Sequence, residues 1–461
     1  MPLTMTNTHM MDRARRLTLV ALLALGAATT QAQEVGQVTF VQGVTSAQRP
    51  GQESRFLTRG DSVNAGEVVN TGGHGFAVLG LKDGTRMTLR SNTTFVIDQL
   101  NQTPGAESLV MNLVRGGLRA VTGLISKASS RGVRLTTPTA TVGIRGTEFD
   151  ARICGPECRR EAQYARPGPQ AAPQDLVVAR VVVVSGTAQA IAGDGAVRTL
   201  APGAALRNGE SVRTAADSHA VLAFRDQTKV TLIPQTDFRL EDIRFSAAQP
   251  DQGNFLARLV TGGLRSVTGL IGKANSSRVK FVTPTATVGI RGTGMDIRLT
   301  ADGTLLYTWD GTSTLDANAQ QLAVEKDRAG VLDAQRPVPE LLPEVPQAFL
   351  DERSPRPDQV AVDIDALFAV RRLDDVVPGL YVGVRSGNVN LATARGFVDL
   401  GPFESALLAD GSDQPLRIEP LPGFLFNDPF PLPDDVNLRP LRMIELVGPG
   451  RDEGSDQCMM R

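Results

Sequence analysis

This sequence specifies an all-β chain of short strands, stacked as a sandwich or a solenoid. Three observations point there. Apolar and β-branched residues alternate with period two in GQVTFVQGVTSAQ, GFAVLGLKDGTRMTLR, HAVLAFRDQTKVTLI and SRVKFVTPTATVGIRGT, the pattern of half-buried strands. Glycine, aspartate, asparagine and proline punctuate these runs at intervals of about 8–12 residues. Sustained helical periodicity is scarce: FLARLVTGGLRSV holds it for a turn or two, and its paired glycines disfavour a helix.

The elements follow in order along the 461 residues. Arg13, Arg15 and Arg16 precede the apolar run LTLVALLALGAA and then TTQAQEV. This is the basic, apolar and small-residue order of a secretory signal peptide, assigned to residues 1–32 with Ala32 the last residue removed. The run is shorter than the roughly 20 residues that span a bilayer, so an exported protein without an integral membrane span is expected, placed in the periplasm. An extracellular or outer-membrane-associated position is the alternative.

The next stretch is a repeat. LVRGGLRAVTGLISKASSRGVRLTTPTATVGIRGTEFD from Leu113 matches LVTGGLRSVTGLIGKANSSRVKFVTPTATVGIRGTGMD from Leu259 at 27 of 38 positions without a gap. Upstream, LTRGDSVNAGEVVNT answers LAPGAALRNGESVRT. The first unit is assigned to residues 33–152 and the second to 177–335, separated by a Cys/Pro-rich insert at 153–176. Within the first, KDGT reads as a hairpin turn, with Gly84 at positive φ. Residues 336–377 read as a Pro-rich linker with a short helix around Ile364 to Leu373. Residues 378–447 form a C-terminal strand module whose PGLYVGVRSGNVNL echoes the end of the second unit, with Gly387, Leu391 and Leu408 answering Gly311, Leu315 and Leu332. This module is expected to complete or extend the repeats, and 448–461 is read as a flexible tail.

The repeated phrase TPTATVGIRGT carries the candidate site. Gly143 and Gly146 flank Arg145 in the first copy, and Gly289 and Gly292 flank Arg291 in the second. Glycines so placed permit a bend or bulge, and the arginine fork suits a carboxylate or carbonyls. Asp150 and Asp296 stand in both copies, whereas Glu148 becomes Gly294. The two aspartates are therefore the expected partners of Arg145 and Arg291, in a structural clamp or a partner-binding loop. Arg119 and Arg265 of GGLR, with Lys127 and Lys273, read as solvated charges on turns. Cys154 and Cys158, four apart, form a disulfide candidate in an oxidising compartment. Cys458 is left over.

Composition narrows the function. A net charge of −1, from 48 basic and 49 acidic residues, gives no electrostatic reason to expect nucleic acid. One tryptophan and three tyrosines supply few of the aromatic platforms sugar-active clefts use. His74 and His219, the histidines beyond the leader, occupy non-equivalent repeat positions. No catalytic residue, cofactor or metal site is expected, and the chain reads as non-enzymatic.

These residues resemble the FecR protein domain, found in the periplasmic part of iron-transport signal regulators. The likeness rests on TPTATVGIRGT with its following EFD, on GEVVNTGGHGFAVLGLKDGTRMTLRSNT, and on GLYVGVRSGNVNL with VDLGPFESALL. It implies a β-rich module that receives a signal by protein contact. The regulators it resembles carry a cytoplasmic anti-sigma segment and a membrane helix where this chain carries a signal peptide. The expected partner is accordingly an envelope protein, with self-association through strand edges also open. A ligand-binding protein or rigid surface spacer is the alternative. The Cys154–Cys158 segment stands where the family's closing strands belong, and the C-terminal module is expected to supply those strands from a distance.

Overall fold

The computed structural model describes residues 33–128, 132–169, 176–290 and 294–435, with positions 438, 440 and 441. Residues 1–32, read above as a signal peptide, Arg291, Gly292 and the 448–461 segment with Cys458 lie outside the described residues. The fold is all-β, strands with a few short helices. No described helix is long and apolar enough to cross a membrane.

Each unit is a two-layered sandwich. In the first, one layer runs through Glu34–Gln42, Phe76–Leu81, Arg86–Leu89 and Gly117–Val121. The other runs through Thr45–Gln48, Val68–Thr71, Thr94–Asn101, Ser108–Arg115 and Val133–Thr136. Ser108–Arg115 and Val133–Thr136 are parallel, because the chain crosses over through the short helix Leu124–Ala128. The strand Thr141–Cys154, which bears the repeated motif, belongs to both layers. Its first half pairs with Val133–Thr136 and its second half with Gly117–Val121. The second unit repeats this plan in two sheets of nine strands.

The units differ in how the motif strand is covered. In the second, the chain turns back directly: Gly303–Asp310 pairs with Gly294–Leu299, and Thr312–Ala317 with Thr287–Ile290. In the first, helix Pro156–Tyr164 follows the motif strand and the chain leaves to build the whole second unit. The covering strand is Gly379–Ala392, antiparallel from Thr141↔Ala392 to Cys154↔Gly379. Leu380, Val382, Val384, Val389, Leu391, Val398, Leu400, Ala406 and Leu408 join the first unit's core. The first unit is therefore assembled from two distant parts of the chain. Arg180, fully buried, ties it to the second unit by donating to both Glu404 carboxylate oxygens at 2.7 and 2.9 Å and to the Asp399 carbonyl at 3.1 Å.

The segment read as a linker is in large part attached to the second unit. Glu340–Leu341 adds to the sheet edge, and Phe349 of helix Gln347–Leu350 is buried against Tyr307. The helix expected from Ile364 to Leu373 ends at Leu367. Asp363 caps its start by accepting from the Ala366 amide, but Arg371–Arg372 is already strand, parallel to Leu416–Glu419. A sheet-edge partner overrides the local pattern there.

Candidate functional site

The motif strand breaks its register between Arg145 and Glu148. Gly146 lies at φ 54, and Gly387 opposite it is so close that a Cβ would fall 2.3 Å from the Gly146 carbonyl oxygen. The bulge passes the strand from one layer to the other. Gly143, in contrast, stays in regular register with Arg134 and Asn390, so the bend belongs to Gly146. Gly289 is likewise paired in register, with Lys280 and Thr314.

That bulge separates Arg145 from the aspartate expected to be its partner. Asp150, beyond the bulge and directly across from Arg119, is fully buried. One carboxylate oxygen accepts from Arg119 Nε at 2.8 Å and from Arg90 Nη2 at 2.9 Å, and the other from Arg385 Nε at 2.9 Å. Arg145 instead points toward the second unit, its Nη1 3.4 Å from the Thr199 carbonyl. The Arg145–Asp150 pairing is thus corrected, since the two side chains stand on opposite sides of the crossing. Arg119 and Arg265, expected as solvated turn charges, are buried.

Arg90 and Arg119 also pair with Asp428. Together with Arg385 they donate to the carbonyls of Phe424, Leu425, Phe426 and Phe430. The cluster therefore straps the helix Gly423–Phe426 onto the first unit. Phe424 sits edge-on to Tyr381 and shares a small apolar cluster with Cys154 and Cys158, which form a disulfide. Burial pushes the Asp150 carboxyl upward, but the pull of Arg119, Arg90 and Arg385 outweighs it and leaves the group below the usual carboxylate range. Burial, against the pull of Asp150, brings the Arg90 guanidinium down to about 9, still charged at neutral pH.

The second unit builds the same lock with other residues. Asp296 accepts from Arg265 Nε at 3.3 Å and from Trp309 Nε1 at 2.8 Å. Arg265 donates to the Ser354 carbonyl, Arg298 pairs with Glu352, and Arg356 stacks over Trp309 at 3.9 Å. Ile233 stands where the first unit has Arg90, and Trp309 where it has Arg385. With a single guanidinium in contact, burial prevails and Asp296 is raised, the pull of Arg265, the Trp309 hydrogen bond and the more distant Arg298 offsetting this only partly. Glu148 faces Arg385 at 3.6 Å, whereas a Cβ on its counterpart Gly294 would lie 2.1 Å from the Trp309 ring. The change from glutamate to glycine thus goes with the change from arginine to tryptophan. Comparing the copies for their differences, rather than their identities, is the signal that points to Arg90, Arg385 and Trp309.

A cavity of about 430 Å³ lies between the units, lined by Arg134, Gly143 and Arg145 of the first, residues 198–201 of the second, and Asn388, Asn390, Phe397 and Asp399 of the C-terminal module. Among the described residues no cluster of three or more His, Cys, Asp or Glu side chains could hold a metal ion.

A two-fold repeat of all-β units, each closed around one buried aspartate, defines a modular β protein. The FecR protein family model matches residues 67–163 and 210–312, one segment in each unit. No curated protein matches the chain. Two solved structures of a candidate anti-sigma factor from Parabacteroides distasonis ATCC 8503 show partial likeness. One is 13% identical with a TM-score of 0.25, covering 30% of this chain and 62% of its own. The other is 15% identical with a TM-score of 0.25, covering 37% and 83%. The chain thus spans less than two thirds of the first, and scores this low define neither fold nor function.

Proposed function

We propose that the protein is a non-enzymatic, exported FecR-domain module of the cell envelope that docks on an envelope protein and receives or relays a signal by contact, with the periplasm as its compartment. The observation that carries this reading is the FecR match in both units. The charge locks support it, because Arg119 with Asp150 and Arg265 with Asp296, kept in both copies, serve closure of the fold, leaving recognition to surfaces. Such a surface exists at the edge of the first unit. Val44 and Phe56 are 61% and 76% exposed, and Phe56 lies on the two-residue strand Arg55–Phe56 that pairs with Thr45–Gln48. An exposed apolar strand edge suits strand addition by a partner.

The test is affinity capture of the mature protein from envelope extract, beside a Phe56→Asp variant matched in circular dichroism. A partner bound at fixed stoichiometry and lost in the variant is expected. A protein that recovers no partner and sediments as an elongated monomer would contradict the reading and favour a rigid spacer.

A further inference from the structure

The cavity between the units is built on one face of four adjacent strands. Register places Arg134 opposite Gly143, Gly143 opposite Asn390, and Asn390 opposite Asp399. In the neighbouring rows Arg145 faces Asn388, and Thr141, Ala392 and Phe397 align. Because side chains alternate across a strand, all of these share the face turned from the core. Val133, Leu135, Val142, Ile144, Val389, Leu391 and Val398 occupy the other face and are buried. Gly143 leaves a gap in the middle of this polar row, and the second unit's loop around Thr199–Ala201 roofs it.

Arg198 is matched by Glu210 at 2.9 Å and also donates to the Ala205 carbonyl. Asp399 accepts from the Ala205 amide at 3.0 Å, and its burial raises its pKa, favouring the neutral form. Arg134 is exposed and makes no ion pair with a described residue. Arg145 lines the same wall. The second unit lacks this arrangement: Thr314 Oγ1 lies 2.6 Å from where a Cβ on Gly289 would sit, and Asp316 replaces Ala392.

We propose that this cavity binds a carboxylate, held by the Arg134 and Arg145 guanidinium groups with Asn388 and Asn390 as amide donors, and with the apolar body of the ligand against Phe397 and Leu200. An arginine fork matches a carboxylate in two parallel hydrogen bonds. The volume is in the range of small-ligand sites. The carboxylate could come from a free small acid or from the C-terminus of a polypeptide. This site stands apart from the strand edge at Phe56, so failure to capture a protein partner leaves it untouched.

Titration calorimetry on the full mature chain tests it with three probes: 3-phenylpropionate, the acetylated dipeptide acetyl-Ala-Phe with a free carboxylate, and 3-phenylpropionamide as the neutral control. At least one acid should bind, and the amide at least tenfold more weakly. Binding of the small acid alone assigns a free ligand, and binding of the dipeptide alone assigns a polypeptide end. Arg134→Gln, at an exposed position, should weaken the bound acid at least tenfold. Gly143→Val should do the same by filling the gap while leaving every charge in place. Circular dichroism and Trp309 fluorescence confirm that both variants are folded. If neither acid binds at millimolar concentration, if the amide binds equally well, or if folded Arg134→Gln retains full affinity, the proposal is wrong.

Discussion

Asp150→Asn isolates the charge at the centre of the first unit's lock. Asparagine keeps the shape and one acceptor oxygen, so the perturbation is removal of one negative charge from between three guanidinium groups. Arg90 and Arg119 have side chains only 3% exposed and Arg385 18%, so water can compensate little. Removing one partner of a buried ion pair costs about 3–5 kcal/mol, and Asp428 alone remains to balance Arg90 and Arg119. Asp296→Asn removes an acid that faces one arginine and one indole N–H, and whose burial already favours the neutral form. Its cost should be at most about 2 kcal/mol. Urea titration followed by far-ultraviolet circular dichroism measures both variants. Trp309, the single tryptophan, reports the second unit by its fluorescence. Equal costs for the two substitutions, or a loss below about 1 kcal/mol for Asp150→Asn, would refute the reasoning that three buried cations depend on this carboxylate.

The remaining predictions are more local. The two aspartates should respond oppositely to pH. Asp150 has a folded pKa below its unfolded value of about 3.9, so its contribution is complete above that value and lost as pH falls through the lower folded value. The stability gap between wild type and Asp150→Asn should therefore narrow below about pH 4. Asp296 has a raised pKa, so the folded state binds its proton more tightly, and this group's contribution declines as pH rises through the folded value. pH-dependent urea midpoints of the two asparagine variants check both signs. Gly294→Ala should cost about 1–3 kcal/mol by overpacking and shift Trp309 emission, since the new Cβ would fall inside the ring's contact distance. Unchanged emission and stability would mean the ring has room to move. Cys154→Ser should lose about 2 kcal/mol on the chain-entropy account, measured by the urea midpoint under non-reducing conditions.

The sequence made the all-β fold legible because strand alternation and turn residues agree along most of the chain. The repeat made the two units legible, and the echo around Gly387 pointed to the C-terminal module. Register could not be read from it. That Gly379–Ala392 lies against Thr141–Cys154 depends on a return past the whole second unit, which local patterning does not encode. The arginine of GIRGT drew attention because it is repeated, yet Arg145 and Asp150 are parted by the bulge that the neighbouring Gly146 creates. Arg90 escaped notice for the opposite reason: its counterpart is Ile233, so identity between copies hid it. Asn388 and Asn390 gave no signal by themselves and acquire meaning only when strand pairing sets them beside Arg145 and Gly143.

The central claim is that the first unit is completed by strands from the far end of the chain. Amide hydrogen exchange across residues 141–154, compared between a chain of residues 33–461 and one of residues 33–370, tests it most directly. The account predicts that truncation strips protection from 148–154 and 141–144 while 294–299 in the second unit stays protected. Equal protection of the motif strand in both chains would contradict it.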